Sequence, residues 1–285
     1  MKMMRDHVIR EMSVEEVAGI AVEWAAAEGW NPGLDDAVSF FNTDPGGFLG
    51  GFLGDIPVSC ISAIDYNGTF GFIGFYIVAP GCRGRGCGRM IWEAGLKRLS
   101  GRNIGLDGVV EQQSNYRRAG FRLAYRNIRF AGVASRDPRP LPGIVPVGEI
   151  SFNAILRYDA GLFPVPRARF LESWFSQPRA AAFATVEKGS LAGYTVVRKC
   201  RKGCKIGPLF AENGEAAEKL FLAASSWPEP GSPIFLDVPE VNHAALALVE
   251  RHGMEKAFET ARMYTGSFPD IDLGRVYGVT SFELG

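Results

Sequence analysis

Between residues 83 and 88 the chain reads Arg83-Gly84-Arg85-Gly86-Cys87-Gly88, and an apolar helical pattern follows directly. Three glycines there let the backbone turn its N–H groups toward one point, and the positive end of the following helix adds to them. A segment of this kind is built to hold a phosphate or pyrophosphate, with Arg83, Arg85 and Arg89 supplying charge. The same composition also describes a flexible surface turn. A dinucleotide loop would need a parallel strand before it and an acidic residue about 20 positions later, and a P-loop would need Gly-Lys-Ser/Thr. Neither pattern is present. Cys82/Cys87 and Cys200/Cys204 have unusual spacings and no nearby His, so no metal is expected.

These residues need elements to position them. Residues 8–12 read as a strand and 13–28 as an amphipathic helix, broken by Gly29-Trp30-Asn31-Pro32-Gly33 before a short helix over 35–41. Residues 48–53, 58–66 and 69–78 are rich in Phe, Ile and Val and are joined by the turns Gly54-Asp55 and Asn67-Gly68, which predicts three antiparallel strands. A helix over 89–99, a strand over 104–110, a helix over 114–119 and a strand over 121–130 complete a β-α-α-β-β-β-α-β-α-β order. Residues 132–148 contain Pro138, Pro140, Pro142 and Pro146 with Gly132, Gly143 and Gly148, which reads as a linker. Strands over 182–187, 193–198 and 204–206, a helix over 215–225, a strand over 234–238, a helix over 244–251 and a strand over 258–264 follow. When Gly120-Phe121 is laid on Gly253-Met254, Arg129 falls on Arg262 without a gap and Leu106-Asp107 falls on the strand of Leu236-Asp237. The second half reads as a copy of the first. The expected domains are 1–135, a linker over 136–148, and 149–285.

A length of 285 residues suits two such domains. Thirty-one basic residues balance 31 acidic ones, so no electrostatic footprint for nucleic acid or an anionic membrane is present. The expected partner is a small molecule; oligomeric state is not readable. Residues 1–7 are charged and lack a signal-peptide pattern, the apolar run 71–78 falls short of a membrane span, and five cysteines suit free thiols. A cytoplasmic location is expected.

The pattern Val78-x-Pro80-x-x-Arg83-x-x-Gly86-x-Gly88 before a helix, joined by Tyr116-Arg117-Arg118-Ala119-Gly120-Phe121 after the fifth strand, resembles the GNAT N-acetyltransferase superfamily across residues 7–131. The resemblance implies an α/β class with a mixed sheet, in two tandem GNAT (acyl-CoA N-acyltransferase) folds. It implies that acetyl-CoA is held by Ile77, Val78, Arg83, Gly84, Arg85, Gly86, Cys87, Gly88 and Asn115, with the pantetheine arm between splayed strands 4 and 5. A backbone N–H near Ile77 or Val78 would polarise the thioester carbonyl, Tyr116 would face the departing thiolate, and an amine would attack directly in a ternary complex. Two departures stand out. Strand 4 carries no carboxylate, which leaves Asp107, Glu111 or Glu28 as the base, and the family's Asn seven residues before the Tyr is Val109 here, which leaves its contact to Gln112, Gln113 or Asn115. In the second half Asn242, Ala245 and Gly253 match the pattern while Val249 stands in the Tyr position, and no glycine loop follows Ile206-Gly207-Pro208. That half reads as a degenerate GNAT fold without a cofactor site. Glu28, Trp30 and Asn31 are placed where the family builds its acceptor pocket, and residues 258–264, with Arg262, and 282–285, which pair apolar with charged residues, are expected to border an interdomain cleft. The first domain alone should then bind acetyl-CoA. The alternative is a non-catalytic acyl-CoA-binding or structural module, which would have no use for Tyr116.

Overall fold

The glycine-punctuated turns after residues 53 and 65 start an antiparallel run, and the computed structural model, which describes residues 7–135 and 141–285, carries that run into one 13-stranded sheet. In the first half β1 (His7–Glu11) leads to helix α1 over residues 14–27, whose start is fixed by a capping box between Ser13 and Glu16. Helix α2 (Asp36–Thr43) follows, then β2 (Phe48–Leu53), β3 (Ile56–Asp65) and β4 (Phe70–Val78). Helix α3 (Cys87–Arg98), β5 (Asn103–Val109), α4 (Gln113–Arg118) and β6 (Arg122–Val133) complete the half. The second half runs β7 (Ile144–Pro146), α5 (Phe152–Asp159), α6 (Ala168–Phe175), β8 (Ala180–Glu187), β9 (Ser190–Lys199), β10 (Cys204–Ala211), α7 (Gly214–Ser225), β11 (Pro233–Pro239), α8 (His243–Arg251), β12 (Glu255–Tyr264) and β13 (Val276–Gly278).

The sheet order is β1-β2-β3-β4-β5-β12-β6-β11-β10-β9-β8-β7, with β13 added to β10. The two halves have therefore exchanged β6 and β12. β12 pairs antiparallel with β5, β6 pairs antiparallel with β11, and the exchanged strands pair with each other at the centre. The register sets Arg262 opposite Asp107 and Arg129 opposite Asp237, so the internal repeat is realised as two reciprocal ion pairs. Both are bidentate: Arg262 donates from Nε and Nη2 at 2.9 and 2.6 Å, and Arg129 does so at 2.6 and 2.7 Å. Planar fork-to-fork geometry of this kind tolerates burial that a single contact would not.

A boundary at 135/136 accordingly divides the chain but not the sheet, and residues 1–135 do not form a closed unit, because β5 takes its neighbour from the second half. The core is also shared. Phe40 lies 5.7 Å from Phe75 and stacks at 5.8 Å on Trp174, joining α2, β4 and α6. Of the expected linker, 136–140, with Pro138 and Pro140, lies outside the described residues, and Ile144–Pro146 forms β7, an edge strand on β8. That is where a proline is tolerated in a sheet. Helices α5 and α6, β7 and β13 are not among the elements expected from the sequence; the three-residue strands repeat too few positions for a period to show. No helix among the described residues is long and apolar enough to cross a membrane.

Candidate active site

Strands β4 and β5 pair in parallel from Phe70/Asn103 to Ile73/Leu106 and then part. The divergence has a local cause. Opposite β3, Cys60 meets Ile77 but Ser62 meets Gly74, so β4 carries an extra residue, and Phe75 adopts a left-handed φ of 46°. Such a bulge bends and twists its strand. From Gly74 to Val78 the edge of β4 that would have met β5 has no strand partner among the described residues, and this stretch lines a cavity of about 610 Å³.

One end of this cavity is the glycine loop. Gly84, Gly86, Gly88, Arg83 and Arg89 line it. Gly86 is the N-cap of α3 at φ 90°, a turn only glycine makes without strain, and a Cβ on Gly88 would meet Tyr76 Oη at 2.9 Å and Val78 at 3.0 Å. The unpaired N–H groups of the first turn of α3 open here, as at the start of any helix. Arg83 donates Nε to the Val78 carbonyl at 3.0 Å and forms an ion pair with Glu28, which also lines the cavity.

Tyr116 sits midway. Residues 116–121 form a helix C-cap in which Phe121 N–H bonds the Tyr116 carbonyl at 3.1 Å and Gly120 takes φ 93°. The second half repeats this cap, with Met254 N–H on the Val249 carbonyl at 3.0 Å and Gly253 at φ 60°. The glycine of the motif is thus structural and kept in both copies, whereas the phenol exists in one. The Tyr116 ring lies against Gly108, where a Cβ would collide with it, and 5.6 Å from Trp92. Burial, reinforced by Tyr76, pushes the Tyr116 hydroxyl well above the ordinary phenol value. It is suited to donate a hydrogen bond to developing charge more than to surrender its proton.

The other end is built by both halves. Trp30, Phe258, Thr260, Phe282 and Glu283 line it. Arg129 is the hub behind this wall: beside its pair with Asp237 it donates Nη1 to the Trp30 carbonyl at 2.8 Å and lies over the rings of Phe282 and Phe258, at 4.7 and 6.0 Å. Burial opposes charge on Asp237, but the Arg129 guanidinium outweighs it and leaves that carboxyl below its ordinary value. Lys205 Nζ approaches the same Trp30 carbonyl at 3.4 Å, and its pKa is lowered by burial and then by Arg129.

Of the expected residues, Ile77, Val78, Arg83, Gly84, Gly86, Gly88, Tyr116, Asp107, Glu28 and Trp30 share the cavity. Arg85, Cys87 and Asn115 do not line it; Cys87 is buried at the start of α3, Asn115 is exposed and bonded to Arg118 and Gln112, and Gln112 lines the cavity in its stead. Asn31 is turned away, its amide exchanging hydrogen bonds of 2.9 Å with the Lys202 backbone, which fastens the Trp30 loop to the second half. Arg262 does not border the cleft either: it is buried and committed to Asp107, and its repeat mate Arg129 stands behind the acceptor wall. Asp107 in turn accepts from Arg262 through both oxygens and from Asn127 Nδ2 at 2.8 Å, so its carboxylate is committed to a buried ion pair instead of standing free in the cavity as a base. Phe258, Thr260, Phe282 and Glu283 lie in the two segments whose mixed apolar and charged residues point to a cleft; Trp92 carries no local motif.

The equivalent gap in the second half is closed. β10 and β11 pair from Cys204/Ile234 to Ile206/Leu236 and then part, and β13 enters the gap on β10. Asn242 holds it, its amide nitrogen within 3.0–3.1 Å of the carbonyls of Leu273, Gly274 and Val276.

Two family models match the chain: an acetyltransferase (GNAT) family model over residues 12–121 and an acetyltransferase (GNAT) domain model over 155–278. The holothin acyltransferase of Pseudoalteromonas sp. (strain SANK 73390) is 32% identical over 100% of this chain and 97% of its own. The chain belongs to the GNAT family. It is an acyltransferase with two GNAT folds in tandem, the second without the cofactor loop. A solved Pyrococcus horikoshii structure shares this GNAT fold at a TM-score of 0.83 and 24% identity, covering 99% of this chain and 96% of that one. A tandem GNAT protein from the clavulanic acid biosynthesis pathway does so at a TM-score of 0.64 and 15% identity, over 92% and 99%. The residues present fit the GNAT co-substrate, an acyl-CoA: the α3 N-terminus with Arg83 and Arg89 suits a pyrophosphate, and the unpaired β4 edge suits an amide-bearing arm.

Proposed function

We propose that the protein transfers an acetyl group from acetyl-CoA to the amine of a small molecule by direct attack in a ternary complex. The observation that carries this reading is one continuous cavity running from the glycine loop, past the β4/β5 gap and Tyr116, to an aromatic wall at Trp30, Phe258 and Phe282. Donor and acceptor enter it from opposite ends and meet at Tyr116. Among the described residues no cysteine or serine lines it, which favours direct attack over an acyl-enzyme. A backbone donor on the free edge of β4 facing the thioester oxygen is worth about 3 kcal/mol in the transition state. The zero net charge supports a small acceptor over a nucleic acid, and five free cysteines support a cytoplasmic location.

The test is acetyl-CoA-dependent release of free thiol across a panel of amines, with holothin among them. Tyr116→Phe should lower kcat by about 10- to 100-fold with an unchanged acetyl-CoA dissociation constant, since the hydroxyl acts when thiolate charge develops. An unaltered kcat would remove Tyr116 from the reaction.

A further inference from the structure

Among the described carboxylates Glu283 alone is buried with both oxygens lacking a hydrogen-bond partner. It is 2% exposed and lines the acceptor end of the cavity. The buried carboxylates Asp107, Asp237 and Asp36 each have partners, whereas Arg198 Nη1 and Nη2 lack them as Glu283 does. Asp107 is filled by Arg262 and Asn127, Asp237 by Arg129, and Asp36 by Arg198 Nε at 2.9 Å and the Gly33 N–H at 2.7 Å. The charges of Arg129 from β6, Arg198 from β9 and Lys205 from β10 reach Glu283, yet none of them bonds to it. The segment that carries it crosses β4 at Gly74, where any Cβ would collide with the Glu283 carbonyl, immediately after the last paired residue Ile73. A desolvated carboxylate without a partner is costly unless a ligand completes it.

Building on the amine transfer proposed above, we propose that Glu283 is the catalytic base that receives the acceptor's ammonium group. The carboxylate takes a proton as one N–H bond breaks, and the electron pair stays on nitrogen. That pair forms the C–N bond at the thioester carbonyl carbon, the C–S bond breaks with its pair on sulfur beside Tyr116, and sulfur takes up one proton. The attacking nitrogen gives its second proton to Glu283, each proton received there passes to solvent, and the net products are one amide, one thiol and one released proton. With Trp30, Phe258 and Phe282 leading to the carboxylate, the acceptor class is a compact primary amine, cationic at neutral pH, on a planar or apolar body.

The test uses the full chain with acetyl-CoA and two probe amines: benzylamine, protonated at pH 7, and aniline, unprotonated there. Glu283→Gln and Glu283→Asp should bind acetyl-CoA as the wild type does in calorimetry. Both should lose roughly 100-fold or more in kcat/KM on benzylamine at pH 7. That deficit should shrink as pH rises and free amine becomes abundant, and aniline should be much less affected. Full activity in both variants overturns the role. So does recovery in Glu283→Asp alone, which would make the residue a counter-charge to Arg129, Arg198 and Lys205, and so does loss of acetyl-CoA binding in both, which would make it a support for β4. A wild type inactive on these probes and the rest of the amine panel overturns the transfer reading itself, and Glu283's role with it.

Discussion

The two halves open the same gap and fill it differently. In the first, β4 and β5 part after Ile73 and Leu106 and leave a cavity; in the second, β10 and β11 part after Ile206 and Leu236 and β13 lies in the space, anchored by Val279 N–H on the Asp237 carbonyl at 2.8 Å. Each half also retains one residue of the pair that resembles the family's cofactor contacts: Tyr116 with Val109 in the open half, Asn242 with Val249 in the closed one. Asn242, which by that resemblance would touch a pantetheine arm, holds the chain's own backbone instead. A splayed pair of strands carries unpaired backbone groups that something must cover. A ligand can do so reversibly, and an intramolecular strand does so permanently.

The harshest way to test whether the open half owns its cleft is to separate it. Residues 1–135 expressed alone should give no cooperative thermal transition as a monomer and should not bind acetyl-CoA in that state, because β5 and β6 lose the strands beside them. If the fragment is soluble, it should pair with itself, Arg129 of one copy facing Asp107 of the other, and run as a dimer in size-exclusion chromatography. A folded monomer that binds acetyl-CoA would show that the exchange is incidental.

Next in size are the twin ion pairs. Asp107→Asn and Asp237→Asn each leave a buried guanidinium uncompensated and should each cost about 3–5 kcal/mol in denaturant unfolding. If folded Asp107→Asn protein lost activity while folded Asp237→Asn protein kept it, Asp107 would return as a catalytic group. Asp237 also fixes a pH signature. Its folded pKa lies below the unfolded value, so its stabilisation is present above about pH 4 and lost as pH falls further, and Asp237→Asn should flatten that acid limb.

The smallest effect is expected at the plug. Asn242→Ala should cost about 1–3 kcal/mol by freeing carbonyls at residues 273–276. Acetyl-CoA stoichiometry should remain one per chain, since the closed half has no arginine-glycine loop. Two sites in that variant would mean that β13 hides a working cleft.

What was local was legible. The glycine loop, the cap at Gly120 with its copy at Gly253, and the order of elements each announce themselves within a few residues, because turns and caps are decided by φ and by neighbours in sequence. Strand exchange is not decided that way. Arg129 and Arg262 align in the repeat, but nothing local says that each faces the other half's aspartate. Asp107 looked like a free carboxylate for the same reason, its partner being 155 residues distant in the chain. Glu283 shows the converse. Its segment read as cleft-lining, but the lack of any partner, which sets it apart, is a property of three dimensions.

The crossed strands also fix a timetable. During synthesis β5 and β6 emerge long before β12, and at about 5–20 residues per second the first half waits several seconds for Glu255–Tyr264. Throughout that wait β5 presents a bare strand edge, the kind of surface on which nascent chains aggregate. Asp107 is then a charge facing inward with no partner, which discourages any apolar strand from docking there. The strand that brings Arg262 neutralises it, so the same carboxylate that later locks the sheet first guards its place.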